Sequence, residues 1–548
     1  METFKIRDLS FSYPEEKTRQ LKNVNLTIKQ GEFVTICGES SSGKSTLLRH
    51  LKPALTPYGI KKGDIFFNGV KIDEVDLRTQ TSKIGYVLQN PEHAIVTDRV
   101  YHELAFGLES LGYDNNTIRL RVAEMATFFG ISNWFKKKVT DLSGGQKQLL
   151  NLASIMTMQP DVLVLDEPTA QLDPLAATEF LDTIKKINLD IGTTIIISEH
   201  RLGELFPMSD RILVMDEGQV IIDAKPELAS RLILESGHIM SKALPSYMNV
   251  FAAVEGEDAK TRGYPLSIKA SREWLSEKVE NKIIKHPKII NEKENDEEKE
   301  IVMELMDVWF KYNRNEKDVI EDLSIQIKKG EFHSIVGGNG TGKTTMLSLL
   351  GGLNKPYRGK MNLDSNIAFL PQNPQALFVE MTVERDIYEM VKSIEKDRNR
   401  REERANEIIK MLDLEEILKR HPYDLSGGEQ QKLAMAKVLL LNPKILLLDE
   451  PTKALDSHFK IKLGSILRDL VNKGTTIVMV SHDIEFCAHY SDRVSLIFNG
   501  SIIATQRPRE FFSGNSFYTT GANRMSRHVF ENAVTTEDVI VLCKMNGL

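Results

Sequence analysis

One set of short motifs occurs twice along the chain, in the same order. The pairs are "GESSSGKS" at 38–45 and "GGNGTGKT" at 337–344, "LSGGQ" at 142–146 and "LSGGE" at 425–429, and "VLVLDEPT" at 162–169 and "ILLLDEPT" at 445–452. At 548 residues the chain is too long for a single hydrophobic core, so each copy is predicted to be a separate folded module. The second copy lacks residues that correspond to part of 66–83, and we expect this loss to trim a peripheral sheet.

Each copy alternates apolar, β-rich runs with helical patterns. This alternation is typical of a mostly parallel sheet with crossover helices, so the predicted fold class is α/β. The predicted organisation is a first module at 1–230, an accessory segment and charged linker at 231–300, a second module at 301–510 and a C-terminal tail at 511–548. The tail is rich in aromatic and apolar residues, so we expect it to pack on the domain or on a partner.

The composition argues against several classes of protein. A net charge of -6 offers no general attraction to nucleic acid or anionic lipid. Cys37, Cys487 and Cys543 lie far apart without metal-ligand spacing, which fits a reducing compartment. The start of the chain lacks the apolar region of a signal peptide, and the most apolar stretch, 438–448, is shorter than the roughly 20 residues that span a bilayer. We therefore expect a soluble cytoplasmic chain, with any membrane role supplied by a partner.

Each glycine-rich loop follows a strand-like run and precedes a helical one. Backbone N–H groups of such a loop surround a phosphate at a helix N-terminus, where the helix dipole also favours an anion. Lys44 and Lys343 are predicted to bridge the β- and γ-phosphates, and the hydroxyls of Ser45 and Thr344 to hold Mg²⁺. The candidate nucleotide-binding residues of the two loops are Gly38, Ser40, Ser41, Ser42, Gly43, Lys44, Ser45, Thr46, Gly337, Asn339, Gly340, Thr341, Gly342, Lys343, Thr344 and Thr345.

An acidic pair ends the most aliphatic strand of each copy. Asp166 and Asp449 are predicted to reach the shell of the Mg²⁺ ion, because ligands of α/β sheets bind at the carboxyl ends of the strands. Glu167 and Glu450 are predicted to polarise the attacking water as general bases. The competing interpretation is an ordinary helix start, which also favours acidic residues.

Two histidines and two tyrosines are further candidates. His200 and His482 follow corresponding strands, which favours contact with the γ-phosphate or the attacking water over a purely structural role. Tyr13 and Tyr312 are candidates to stack on adenine, and packing on an edge strand is an equally good interpretation.

The Ser-Gly-Gly of each "LSGG" motif opens a helix and forms another anion-binding N-terminus. Each copy already has a glycine-rich loop for its own nucleotide. The additional site makes sense if the two copies face each other and each completes the other's site.

These motifs together resemble the ATP-binding cassette (ABC) ATPases. The resemblance rests on the series Tyr13, glycine-rich loop, Gln89, "LSGGQ", "VLVLDEPT", Asp173 and His200, repeated as Tyr312, glycine-rich loop, Gln372, "LSGGE", "ILLLDEPT", Asp456 and His482. Within that family, "IGYVLQNPEHAIVTDRVYHELAFGLESLG" and "LSGGQKQ" look most like the ATPase subunits of energy-coupling-factor (ECF) importers for vitamins and transition metals. In that group the two ATPases are often separate chains, whereas here they are fused.

The resemblance implies two tandem ABC nucleotide-binding domains, each with a P-loop NTPase core and a helical subdomain, that hydrolyse ATP with Mg²⁺. It implies intramolecular head-to-tail pairing of the two cassettes. It also implies that Gln89 and Gln372 contact nucleotide and metal, and that they link the nucleotide state to the adjoining coupling segments. One ATP would lie between the first glycine-rich loop and Ser426, Gly427 and Gly428. The other would lie between the second loop and Ser143, Gly144 and Gly145.

The resemblance also implies partners and a location. The expected partners are an integral membrane scaffold subunit and a substrate-capture subunit, with no nucleic acid, so the chain would lie peripherally on the cytoplasmic face of the cell membrane. Since a separate subunit captures the substrate in such importers, this chain does not reveal which small nutrient is transported.

The stretch after Gln89 is more apolar than an ordinary surface helix requires. The apolar residues that cover more of its circumference than one core contact needs are Val96, Val100, Tyr101, Leu104, Ala105, Phe106 and Leu108. One interpretation is a well-buried core helix, and the other is a surface that receives cytoplasmic helices of a membrane subunit.

Alternative functions are the ATPase of another ABC importer and a soluble double-cassette ATPase of the ribosome. A ribosomal protein of that kind would be expected to carry a basic linker that contacts RNA. Residues 277–300 contain more acidic residues than lysines, which argues against it. A DNA-repair cassette protein would need large insertions or zinc-binding cysteines, and neither occurs.

Overall fold

The structure, a computed structural model, describes residues 1–14, 19–199, 202–280, 282–285, 299–364 and 366–548. The chain divides into two compact units, Met1–Ser267 and Ile268–Leu548. The segment 231–300, predicted as one accessory element and linker, therefore contributes to both units. No helix in these described ranges has the length and apolar character needed to cross a bilayer.

The first unit contains ten strands and ten α-helices. The strands are β1 Glu2–Ser12, β2 Leu21–Lys29, β3 Phe33–Gly38, β4 Ile60–Phe67, β5 Val70–Lys71, β6 Ile84–Val87, β7 Val162–Asp166, β8 Thr194–Ser198, β9 Arg211–Asp216 and β10 Gln219–Ala224 within the described residues. The helices are α1 Lys44–His50, α2 Leu77–Lys83, α3 Val100–Ser110, α4 Asn115–Phe128, α5 Gly144–Met156, α6 Pro174–Lys186, α7 Leu202–Leu205, α8 Pro226–Glu235, α9 Ser246–Glu255 and α10 Ala259–Arg262.

The second unit repeats most of this series and begins with a helix. Its helices are α11 Ile268–Val279, α12 Lys343–Leu350, α13 Val383–Ile394, α14 Arg398–Met411, α15 Gly427–Leu440, α16 Ser457–Asn472, α17 Ile484–Tyr490, α18 Pro508–Gly514, α19 Gly521–Ser526 and α20 Thr536–Met545. Its strands are β11 Ile301–Phe310, β12 Ile320–Lys328, β13 Phe332–Val336, β14 Arg358–Leu363, β15 Ile367–Leu370, β16 Ile445–Asp449, β17 Thr476–Val480, β18 Arg493–Phe498 and β19 Ser501–Gln506.

Each unit contains one large, mostly parallel sheet, which confirms the predicted α/β class. The strand order is β10-β9-β3-β8-β7-β6 in the first unit and β15-β16-β17-β13-β18-β19 in the second. Only β10 and β19 run antiparallel to their neighbours. The central strands read as almost unbroken aliphatic runs because helices or a second sheet cover both of their faces.

Alternate residues of one strand enter different cores. Val162 and Val164 pack in the cluster beneath the smaller sheet of the first unit, whereas Leu163 and Leu165 pack with α3, α4 and α5. This alternation follows from the two-residue period of a strand. Asp166 is the last residue of this strand, so it lies at the carboxyl edge of the sheet.

The smaller antiparallel sheet differs between the units as predicted. It has the order β2-β1-β4-β5 in the first unit and β12-β11-β14 in the second. Among its described residues the second unit has no counterpart of β5 or α2, since β14 ends at Leu363 and β15 begins at Ile367. The shortening is therefore confined to the periphery and leaves the strands of the large sheet intact.

The C-terminal helices pack inside the second unit. Phe511, Phe512, Phe530 and Leu542 are buried. Helix α11, which precedes the charged linker, packs against α19, with Trp274 and Leu275 buried. The Ser276 hydroxyl lies 2.9 Å from Nε2 of His528, within hydrogen-bond distance.

Candidate nucleotide-binding site

The parallel order brings the predicted motifs of each unit to one edge of its large sheet. In the first unit β3, β8, β7 and β6 are parallel neighbours, and their carboxyl ends lead into the glycine-rich loop, Ser198, Asp166 and Gln89. The second unit has the same arrangement in β13, β17, β16 and β15. The carboxyl edge of a parallel sheet is where ligands of α/β proteins bind.

Both glycine-rich loops close onto the first turn of a helix. Gly43 and Gly342 precede α1 and α12 with φ of 100° and 99°, a left-handed conformation that a side chain would disfavour. The Lys44 ammonium donates to the carbonyls of Gly38 (2.9 Å) and Glu39 (2.6 Å). Lys343 donates equivalently to Gly337 and Gly338. Both lysines are buried within their loops, where a phosphate anion would meet an already placed positive charge.

Asp166 lies in a network of hydroxyl groups. Its Oδ1 accepts hydrogen bonds from Ser45 Oγ and Ser198 Oγ, both at 2.9 Å, and its Oδ2 accepts one from Tyr86 at 3.4 Å. Burial, together with the neighbouring charge of Glu167, raises the pKa of the Asp166 carboxyl. Ser45 and Asp166, each predicted to hold Mg²⁺, are therefore in direct contact.

Asp449 of the second unit is more buried and less satisfied. Neither of its carboxylate oxygens has a hydrogen-bond partner within 3.5 Å among the described residues, and burial raises its pKa. A buried carboxylate without donors is costly unless something else stabilises it. A carboxylate and a threonine hydroxyl suit Mg²⁺, which prefers oxygen ligands, so Asp449 and Thr344 fit the predicted magnesium site.

Glu167 and Glu450 each accept a hydrogen bond from a described residue. Gln89 Nε2 donates to Glu167 Oε2 at 2.9 Å. In the second unit Gln372 is exposed, and it is the backbone N–H of His482 that donates to Glu450 Oε2 at 3.1 Å. Both glutamates have positive φ, 45° and 52°, a backbone conformation that is uncommon for residues other than glycine. The two acidic pairs are thus placed alike, and among the described residues the glutamine contact is present in the first unit and absent from the second.

The second histidine lies beside its predicted catalytic partner. Nε2 of His482 is 3.4 Å from Oε1 of Glu450 and 3.1 Å from Oδ1 of Asn339 in the glycine-rich loop. Burial raises the pKa of the Glu450 carboxyl. His200, the candidate of the first unit, lies outside the described residues, and its role stays a prediction.

Each "LSGG" serine caps a helix. Ser143 and Ser426 precede α5 and α15, and each forms a reciprocal capping box with the third helical residue. That residue is the neutral Gln146 in the first unit and the acidic Glu429 in the second. Both serines are exposed, so each of these helices begins at the surface of its unit.

The two candidate adenine-stacking tyrosines occupy equivalent positions. The Tyr13 hydroxyl oxygen lies 3.3 Å from Thr46 Oγ1, and the Tyr312 hydroxyl oxygen lies 3.0 Å from Thr345 Oγ1. Each ring also packs edge-on against a phenylalanine of the preceding strand. The tyrosines therefore adjoin the glycine-rich loops, and adenine stacking stays a prediction.

Sequence reasoning missed Ser198 and Tyr86. The Ser198 hydroxyl donates to Asp166 and also accepts a hydrogen bond from the Glu167 backbone N–H at 3.1 Å. A signal for Ser198 was present, since it ends "TIIIS" at the same sheet edge as the acidic pair. Tyr86 carried no comparable signal, because it looks like one more residue of a buried strand.

The apolar stretch after Gln89 is partly buried and partly exposed. Val100 and Leu104 of α3 are buried in the core, whereas Val96 before the helix is 66% exposed. Its counterpart in the second unit, Val379, is 70% exposed. We call residues 90–99 and 373–382 the first and second apical loops. The core interpretation holds for one face of α3, and exposed apolar side chains stand on the loop before it.

A buried acid holds each apical loop in place. Glu103 Oε2 accepts hydrogen bonds from the backbone N–H groups of Val96 (3.1 Å) and Thr97 (2.8 Å). Asp386 accepts one from Val379 at 3.3 Å. These contacts fix the loops although the side chains of Val96 and Val379 face outward.

Comparison with known proteins agrees with the duplication. The family model described as ABC transporter matches residues 21–170 and 320–453. A Bacillus anthracis protein named as an ABC transporter ATP-binding protein is 39% identical over 556 residues, which cover 99% of this chain and 98% of the relative.

Two solved structures show how far the likeness extends. The cbiO1 protein of Clostridium perfringens, part of the ABC transporter complex cbiONQ, is 31% identical to this chain. The match covers 44% of this chain and 99% of cbiO1, with a TM-score of 0.39. A protein described as RNase-L inhibitor is 23% identical and covers 93% of this chain and 92% of its own at a TM-score of 0.59. At that identity it shows a shared double-cassette fold alone. Domains of this family bind ATP, and their presence implies ATP hydrolysis. The chain belongs to the ABC transporter ATP-binding proteins, as a tandem of two ABC nucleotide-binding domains.

Proposed function

We propose that this chain is the ATP-hydrolysing motor subunit of an ECF-type importer of a small nutrient, a vitamin or a transition metal. Its partners would be an integral membrane scaffold subunit and a substrate-capture subunit, and it would lie on the cytoplasmic face of the membrane. The observation that carries the proposal is the pair of exposed valines, Val96 and Val379, on loops that buried carboxylates hold in place. Apolar side chains fixed in an exposed position are typical of a binding surface.

ATP chemistry at each site would be divided among the chain's own residues. Lys44 and Lys343 would neutralise phosphate charge, and Glu167 and Glu450 would orient and deprotonate the attacking water. Mg²⁺, bound by Ser45 and Asp166 or by Thr344 and Asp449, would supply charge neutralisation between the β- and γ-phosphates.

The two cassettes would pair within one chain, with each exposed "LSGG" helix start completing the nucleotide site of the other cassette. Support comes from Ser143 and Ser426, which cap their helices in the same way and are exposed where each helix begins. Closing on ATP and opening after hydrolysis would then move the apical loops and the membrane subunit that docks on them.

A charge on an apical loop tests the proposal. Val96→Asp and Val379→Asp each place an unpaired carboxylate at the docking surface, which costs several kcal/mol and shifts complex formation by about 10² or more. Ala94→Asp, at a half-buried position on the same loop, is a third variant. We expect reduced co-purification with an integral membrane scaffold and loss of nutrient uptake, with ATP binding by the isolated protein retained.

Leu189→Asp is the matched control, because Leu189 is equally exposed and lies before β8, away from the carboxyl edge of the sheet. Normal co-purification and uptake in the apical-loop variants would remove these loops from the docking surface. Loss of folding in those variants, with the control intact, would mean that the loops belong to the core.

A further inference from the structure

The two cassettes connect their apical loop to their "LSGG" helix in different ways. In the second cassette, Lys437 of α15 donates from Nζ to Asp386 Oδ1 and to the carbonyl of Leu377, both at 2.6 Å. Leu377 belongs to the second apical loop, and Asp386 accepts the Val379 N–H of that same loop. One lysine on the "LSGG" helix therefore contacts the loop both directly and through the acid that holds it.

This ion pair is removed from solvent. The side chain of Lys437 is 3% exposed and that of Asp386 is fully buried. A buried pair escapes screening by salt, and loss of one partner leaves the other as an uncompensated buried charge. The link between α15 and its apical loop is therefore stiff.

The first cassette has no charge at the corresponding helix position. Ser154 stands there, and its hydroxyl donates to the carbonyl of Asn151 in its own helix. Glu103 is the counterpart of Asp386, and it holds the first apical loop by accepting hydrogen bonds from Val96 and Thr97. The link from α5 to the first apical loop is instead an ion pair between Lys147 and Glu92.

This other ion pair is open to solvent. The Glu92 side chain is 60% exposed and that of Lys147 is 16% exposed. The corresponding positions of the second cassette carry the neutral residues Gln375 and Gln430, which hydrogen-bond at 3.3 Å. An exposed pair contributes little and is screened by salt.

We propose that Lys437 is a positioning residue that makes the second apical loop follow its "LSGG" helix rigidly, whereas the first loop follows through a weaker, salt-sensitive link. The two docking surfaces would then respond unequally to ATP. The assignment of the two apical loops as docking surfaces rests on the proposed function. The linkage itself is a property of the isolated chain, so it can be tested without any membrane partner.

Fluorescent labels on the two loops test the linkage. Single cysteines at Val96→Cys and Val379→Cys are matched in exposure, and Cys37, Cys487 and Cys543 are buried. The background is Glu167→Gln with Glu450→Gln, which is expected to hold ATP without cleaving it. The measured quantity is the change in label emission between ADP and ATP with Mg²⁺, at low and at high KCl concentration.

We expect the second-loop signal to survive high salt and the first-loop signal to fall by about half or more, because about 1 M salt shortens the Debye length to ~3 Å. Replacing both members of the buried pair, Lys437→Met with Asp386→Asn, should reduce the second-loop signal to a similar extent at every salt concentration. The affinity for ATP, measured by nucleotide titration, should stay unchanged. Removing both charges avoids the stranded charge that a single substitution would create.

A second variant keeps the test decisive if that double substitution does not fold. Lys147→Gln with Glu92→Gln gives the first cassette the neutral pair of the second, and should lower the first-loop signal at low salt to the level that the unsubstituted pair shows at high salt. An unchanged second-loop signal in the Lys437→Met, Asp386→Asn protein would overturn the proposal. A first-loop signal that stays unchanged both at high salt and in the Lys147→Gln, Glu92→Gln protein would also overturn the proposal. Failed co-purification in the docking experiment, with these signals as expected, would instead contradict only the proposed function.

Discussion

Gln89 Nε2 donates to Glu167 Oε2 at 2.9 Å, and this contact joins the end of β6 to the predicted general base at the end of β7. Glu167 is therefore contacted by the residue that immediately precedes the first apical loop. In the second cassette Glu450 is contacted by His482, and Gln372 is exposed. Among the described residues, the two sites thus differ in whether this glutamine contacts the predicted general base.

Both glutamates should be required for full turnover. Glu167→Gln and Glu450→Gln each remove a carboxylate that could accept the proton of the attacking water, a loss that commonly costs about 10²–10⁴-fold in rate at the affected site. The double variant should bind ATP and release almost no phosphate. Phosphate release under steady-state conditions and nucleotide retention on a filter measure the two quantities. Full wild-type turnover in either single variant would show that its site is not catalytic.

Gln89 should matter more for ATP hydrolysis than Gln372 does. A hydrogen bond to a charged group contributes about 1.5–3 kcal/mol, so its loss corresponds to roughly a tenfold change or more in rate. We expect Gln89→Ala to lower the rate of phosphate release by about that factor and Gln372→Ala to lower it less. Equal effects of the two substitutions would mean that the contact with Glu167 does not contribute to turnover.

The contact between α17 and the C-terminal segment should depend on pH. Burial raises the pKa of Glu485 to about 7, and its carboxylate accepts the Gly521 N–H at 2.8 Å beside Asp483, Arg524 and Glu537. Between its ordinary pKa and this value the folded state binds more protons than the unfolded state. The free energy of unfolding therefore falls as pH rises through that interval, by about 1–3 kcal/mol in all.

Glu485→Gln retains an acceptor for Gly521 and cannot ionise. Its melting temperature should exceed that of the wild type at pH 8 and approach it at pH 5. Thermal unfolding followed by circular dichroism at the two pH values gives the comparison. A variant less stable than the wild type at pH 8 would show that the ionised carboxylate stabilises the fold.

One copy of the chain should supply the whole motor of each transporter. The chain already contains two complete sets of motifs, including both "LSGG" helix starts, so a second copy is not needed to form two nucleotide sites. The intact mass of the purified membrane complex should correspond to one chain per scaffold subunit. Two chains per scaffold would contradict intramolecular pairing.

The sequence predicts the large sheets well because their information is local. The aliphatic run that ends at Asp166 and the glycine-rich loop before Lys44 specify a buried strand and a phosphate-binding turn without reference to distant residues. The parallel order then brings these segments to one sheet edge, and the Ser45–Asp166 contact was predictable for that reason.

The side-chain partners were less predictable. Gln89 contacts Glu167 whereas Gln372 is exposed, and this difference depends on how loops from separate strands pack. The buried Lys437 illustrates the same limit, because a lysine in a helix ordinarily faces solvent and its acidic partner lies on another helix. The role of 268–279 was also hidden, since the apolar residues that α11 buries stand next to a highly charged sequence.

The position of α11 decides what a cut in the linker would do. Helix α11 continues the chain directly from the first unit, yet it packs against α19, and Lys282 and Lys285 beyond it bond to Gly547 and Asn546 near the C-terminus. A protease that cleaves between 285 and 299 would leave this helix covalently attached to the amino-terminal fragment and seated in the carboxyl-terminal one. The two fragments should therefore elute together until a denaturant releases them, and a split gene meant to express independent cassettes would need its break before Ile268.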